Sequence, residues 1–137
     1  MNMKQLIAAA AVLLGLAVPA HATEWVNCSD GEGKVNFDVL LGLMDVIAID
    51  TINIEVNGRK WSNKPEAGIT KIEVGQAFES ANQMWIDVVE DGMGAIVAKL
   101  RLFRASEDAD GVEATDANGG TLHMPGIGAW AVSCEGP

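Results

Sequence analysis

Cys28 and Cys134 are the only two cysteines of the 137-residue chain, and they stand close to its two ends. In an oxidising compartment an even count near the termini reads as one structural disulfide. The bridge places the first and last elements of the fold side by side. Closing a loop 106 residues long constrains the unfolded chain by roughly 4–5 kcal/mol in the entropic account. The spacing is nothing like the Cys-x-x-Cys of a redox or metal pair.

The first residues supply the compartment. Met1–Ala22 carries one positive charge at Lys4, an apolar run from Leu6 to Val18, and then Pro19-Ala20-His21-Ala22. A charged start, a short hydrophobic centre and a small-x-small site are the three parts of a cleaved secretory signal peptide. The run is too short to span a bilayer, which takes roughly 20 residues. Cleavage after Ala22 leaves Thr23–Pro137, 115 residues and one exported β domain. Trp25-Val26-Asn27 before Cys28 is not a lipoprotein signal, and no twin-arginine pair precedes the apolar run. The expected address is the periplasm or the exterior, as a soluble protein.

All 19 acidic residues and eight of the nine basic ones lie in residues 23–137, for a formal charge of −11. That excludes nucleic acid, which demands a basic footprint, and disfavours anionic lipid surfaces. It permits a cationic protein partner, a cationic small molecule or a metal ion.

The clearest local signal is Asn57-Gly58, a two-residue hairpin turn in which both positions accept positive φ. Pairing outward sets Glu55 opposite Lys60 and Ile54 opposite Trp61. Ile47 and Ile49 fall on the opposite parity to Ile52, Ile54 and Val56, which predicts a bulge near Asp50. A second hairpin around Glu90–Gly94 would pair Val89 with Ala95, Val88 with Ile96, Ile86 with Ala98, Met84 with Leu100 and Trp85 with Lys99. Further strands are expected at Trp25–Cys28, Val35–Leu41, Thr70–Val74 and Gly128–Cys134, with Trp25, Trp130 or both in the core beside the disulfide. Phe37, Leu40, Leu41 and Met44 also fit a helical stripe, weakened by Gly42.

The fold class is therefore all-β: a small disulfide-tied sandwich or flattened barrel of about six to eight antiparallel strands. The alternative is α+β, with one short helix over Gly75–Gln83, because Ala77, Phe78, Ala81, Trp85 and Val88 recur at helical spacing. Ser106–Gly120, rich in Asp, Glu, Ala and Gly without periodicity, reads as a mobile surface loop.

Catalytic constellations are scarce. His123 is the one histidine past the signal, and no Gly-x-Ser-x-Gly elbow or phosphate loop accompanies it. The expectation is that the protein is not an enzyme and carries no cofactor. Calcium is the better metal question, because Glu107, Asp108, Asp110, Glu113 and Asp116 crowd one segment. No frame supplies both the first acidic ligand and the closing Glu of an EF-hand, so a weak irregular site is all the loop could form. The candidate binding face is Trp85, Lys99, Arg101 and Phe103, with Val97, on one side of the second hairpin. That side is unusually apolar for an outer face. The pattern favours cover by a second sheet or helix, with the long basic chains reaching to water.

Export, small size and one disulfide point to a non-catalytic binding module for a protein or envelope component. A narrower version is an inhibitor of a cationic wall-degrading enzyme. Small acidic disulfide-tied β proteins that block lysozyme share this size, charge and address, but the Ser-Gly-x-x-Tyr loop of the C-type lysozyme inhibitors is missing here. A small-ligand or calcium binder, using the 106–120 segment or a barrel mouth, is the other expectation.

Overall fold

The computed structural model describes residues 23–42, 46–64, 66–108 and 110–136. The proposed signal peptide, 1–22, lies outside the described residues, as does Met44. The chain forms β1 (Glu24–Ser29), β2 (Val35–Gly42), β3 (Ala48–Val56), β4 (Arg59–Ser62), β5 (Thr70–Ser80), β6 (Gln83–Glu90), β7 (Ile96–Glu107), β8 (Thr115–Met124) and β9 (Gly128–Glu135). These strands close in sequence order into one barrel, with β9 returning to β1. The all-β class stands. The expected six to eight antiparallel strands become nine, and β4 runs parallel to β5. A single barrel replaces the sandwich, because the sheet closes on itself and has no second sheet to face.

Period-two alternation builds the barrel. In β2, Val35, Phe37, Val39 and Leu41 point inward and are buried, while Asn36, Asp38 and Leu40 point outward. The interior is filled from every strand, with Val26, Phe37, Ile54, Trp61, Ile72, Met84, Ile86, Leu100, Leu122 and Val132 in one cluster. A barrel near this strand number is just wide enough for side chains to fill it. The outward positions of β2 and β3 carry Asn36, Asp38, Asn53 and Glu55. This is the reverse of the apolar-out, polar-in alternation of a membrane-spanning barrel. Among the described residues no helix is long and apolar enough to cross a membrane.

The Asn57-Gly58 turn forms as read, with φ of 50° and 80°. It sets Glu55 opposite Lys60 and Ile54 opposite Trp61. The bulge falls at Asp50, which the β2–β3 register skips. Cys28 and Cys134 are bonded and lie directly opposite each other on β1 and β9. Trp25 is 41% exposed and stands outside the core, while Trp130 is half-buried against it.

Four local expectations are corrected. The described part of the 37–44 stripe, up to Gly42, is β2, and the helix over 75–83 is instead the end of β5, a turn at Ala81-Asn82 and the first residue of β6. A bulge between Val74 and Gln76 reverses β5 parity, so Ile72 and Val74 face Val88 and beyond, while Ala77 faces Ile86. That reversal imitates helical spacing. The second hairpin is offset by two residues: Val88 meets Ala98, Ile86 meets Leu100, Met84 meets Leu102, and Trp85 meets Arg101. On the turn side Val97 is the extra residue, since Val88 meets Ala98 and Val89 meets Ile96, and the two-residue slip keeps Met84, Ile86, Val88, Ala98, Leu100 and Leu102 on the inner face.

Ser106–Gly120 is mostly strand rather than loop, because β7 reaches Glu107 and β8 begins at Thr115. Its glycines conceal the strand pattern. Gly120 lies against β7 so closely that a Cβ there would collide with the Arg101 carbonyl. Gly120→Ala is expected to cost about 3 kcal/mol, read as a lower urea midpoint at unchanged slope. A loss under about 0.5 kcal/mol would show that the two strands can part.

Candidate functional site

On a closed barrel the outer side of each strand is free, so the face on β5, β6 and β7 lies open. The expected covering sheet or helix is not there among the described residues. Cross-strand register builds the face in rows. One row runs Phe78–Trp85–Arg101–Thr121 and its neighbour runs Gln76–Asp87–Lys99–His123. A third row places Phe103 beside Gln83 and Gly119. Phe78, Trp85 and Phe103 are 51%, 42% and 55% exposed. Three of the four exposed aromatics share this outer face, with Phe78 and Trp85 in ring contact and Phe103 in the adjoining row.

Three polar members of the face, Arg101, Asp87 and Gln76, are fixed in place. The Arg101 guanidinium donates to Asp87 Oδ1 at 2.6 Å and to the Leu100 carbonyl at 2.8 Å. It also lies 5.5 Å from the Trp85 ring centroid, on its face. Gln76 Nε2 donates to the other Asp87 oxygen at 2.6 Å. The Phe78 and Trp85 rings are 5.8 Å apart and tilted by 56°. Between them and Asp87 is a cleft of about 290 Å³, lined by Gln76, Ala77, Phe78, Trp85 and Asp87. Around this cleft the side chains have little freedom left to lose on binding, which lowers the entropic cost of association there.

Burial opposes ionisation of Asp87. The hydrogen bonds from Arg101 and Gln76, with the charges of Arg101 and Lys99, outweigh it and hold the carboxyl below its usual value. An unfolded Asp titrates near pH ~3.9. The stability Asp87 contributes is therefore complete above about pH 4 and is lost as pH falls through the lower folded value. The difference in unfolding free energy between wild type and Asp87→Asn should be largest near neutral pH and shrink below about pH 4. A difference that stays constant to about pH 2 would rule out this linkage.

Phe78 and Gln76 were not among the sequence candidates, because β5 read as a helix. The signal that would have found them is a two-residue turn at Ala81-Asn82, which sets Ser80 opposite Gln83 and Phe78 opposite Trp85.

The other candidates are placed differently. Glu107 ends β7, Asp116 is in β8, and Asp108, Asp110 and Glu113 are exposed between them. Among the described residues no group of three or more His, Cys, Asp or Glu is placed to hold a metal ion. His123 is exposed on the outer face, opposite Lys99 and Ala129. A polar groove of about 330 Å³ crosses β2, β3 and β4 past Asp38 and Glu55. Burial, reinforced by Glu55, pushes the Asp38 carboxyl up.

At the barrel end near Ser80, Arg104 turns inward. Its Nη1 donates to Glu79 at 2.9 Å, while its Nε is buried without a partner. Asn118, opposite Arg104 on β8, has both amide atoms buried and unpartnered among the described residues. They border a cavity of about 380 Å³. No family model, curated protein or solved structure matches this chain.

Proposed function

We propose that the protein is an exported, non-catalytic binding module that holds a protein or envelope component on the outer face of β5, β6 and β7. The observation that carries this is the exposed triad Phe78, Trp85 and Phe103 around a pinned Arg101. Aromatics and Arg dominate the binding energy of interfaces when they are rigid and can be desolvated together. The tilt between the Phe78 and Trp85 rings makes a cleft for side chains rather than a flat platform. The filled interior directs binding to the outside.

Charge supports the choice of partner. The formal charge of −11 over residues 23–137 accelerates encounter with a cationic protein and weakens as salt screens it. A cationic wall-degrading enzyme is the narrower form of this reading, with the module as its inhibitor. The test is affinity capture by residues 23–137, disulfide intact, from an envelope extract at low and then physiological salt. A stoichiometric protein that releases faster at higher salt is the expected result. Capture of no protein at low salt would count against a stable partner.

A second reading has its own observation. Arg104 Nε and the Asn118 amide present two donors and an acceptor, desolvated at the barrel mouth. Buried polar atoms without partners cost roughly 1–3 kcal/mol each, which a small polar ligand would recover. A small molecule released on denaturing the protein, and identified by mass spectrometry, would support this site. Release of nothing would leave the outer face alone.

A further inference from the structure

The barrel closes unevenly. β4 has four residues and pairs with β5 only at Trp61–Thr70 and Ser62–Lys71. Beyond Lys71, β5 continues from Ile72 to Ser80 with β6 on one side and, among the described residues, no strand on the other. β3 has a matching overhang from Ala48 to Ile52, outside its register with β4. A slit of about 560 Å³ lies along this side, with Val46, Ile47, Ala77, Phe78 and Ser80 in its lining.

The two edges of the slit are not equivalent. The β3 edge is capped by one side chain. Ile52 N–H donates to Asn63 Oδ1 at 2.9 Å, and Asn63 Nδ2 donates to the Asp50 carbonyl at 3.0 Å. No such cap serves β5 between Ile72 and Ser80 among the described residues. Natural edges are usually blunted with Pro, Lys or short length. This one is long and carries neither residue past Lys71. Only the bulge at Gly75 interrupts it. Every second residue of such a strand turns its N–H and C=O away from its partner, toward the slit.

We infer that the free edge of β5, from Gln76 to Ser80, receives an extended segment of the partner protein as an added strand. This rests on the outer face being the partner's docking surface, and it names how the partner engages it. Phe78 belongs to both, so a strand lying on this edge brings its alternate side chains beside Phe78 and Trp85. The segment carries Lys or Arg among apolar residues. Glu73 stands in β5 outside any ion pair among the described residues, Glu79 is already paired with Arg104 at the end of the slit, and the whole domain is acidic. For the same reason the occupant is not a second copy of this chain, whose like charge would oppose pairing.

The probe is a blocked eight-residue peptide of alternating Lys and Val, added to residues 23–137 and followed by amide hydrogen exchange. Binding below about 1 mM, with at least ten-fold slower exchange at amides within Gln76–Ser80, is the expected result. The same peptide N-methylated at alternate residues should bind at least ten-fold more weakly. No binding at about 1 mM, or equal binding of the methylated peptide, would overturn strand addition. The two readings can fail separately. A captured partner that depends on Trp85 yet leaves β5 exchange unchanged would keep the face and overturn the added strand. Protection of β5 that persists in Trp85→Ala would keep the added strand and count against the aromatic face.

Discussion

Reducing the Cys28–Cys134 bridge is expected to lower the unfolding free energy of residues 23–137 by about 4 kcal/mol. β1 meets β9 through only three residue pairs, Asn27–Glu135, Cys28–Cys134 and Ser29–Ser133, and the bridge is the middle one. The cross-link ties positions 106 apart, so it removes a large share of the unfolded chain's freedom. Both cysteines are buried in the interior cluster, and as thiols they still pack as small apolar groups. Reduction therefore isolates the cross-link from the packing. Urea unfolding with and without reductant measures the difference, and the slope should rise as the unfolded state expands. A change below about 1 kcal/mol would mean that the β1–β9 seam holds without its bridge.

Phe37→Ala should cost nearly as much, about 4 kcal/mol. Phe37 is fully buried at the centre of β2, opposite Cys28 on β1 and Ile54 on β3. Its ring fills the interior where the strands carry mostly Val, Ile and Leu, so truncation leaves a cavity that a hydrogen-bonded barrel wall cannot collapse to fill. The control is Phe78→Ala on the outer face, expected to cost no more than about 1 kcal/mol, the worth of its ring contact with Trp85. Equal losses at the two positions in urea unfolding would contradict the assignment of inside and outside. Because Phe37 pairs with Cys28, its cost measured in the reduced protein should not add simply to that of reduction.

Much of this architecture was legible in the sequence where the signal is local. Asn57-Gly58 fixed one hairpin because few residue pairs accept two positive φ values. The Ile47/Ile49 parity break located the bulge at Asp50. The cysteine positions brought β1 and β9 together. Trp85, Lys99, Arg101 and Phe103 share a face because alternation survives a two-residue slip.

What was illegible depends on long-range closure or on interrupted alternation. The bulge at Gly75 turned β5 into an apparent helix and hid Phe78 and Gln76. In β8, Asn118-Gly119-Gly120 offers no apolar alternation, since close approach to β7 forbids a side chain at Gly120. Whether the Trp85 face is covered depends on the sheet closing on itself rather than on a second sheet. No window of residues contains that information. The parallel pairing of β4 with β5 likewise has no local signal, since nothing in the sequence between Ser62 and Thr70 announces it.

The most direct test of the account is the affinity of the captured partner for wild type and for Trp85→Ala, measured by calorimetry at physiological salt. Trp85 lies on the outer face, so the variant should lose only its contacts with Phe78 and Arg101, about 1–2 kcal/mol, and remain folded at the temperature of the measurement. A hot-spot loss of about 2 kcal/mol predicts binding weaker by roughly 30-fold. Affinity within about two-fold of wild type, with the fold intact, would contradict the assignment of the β5–β6–β7 face as the binding site.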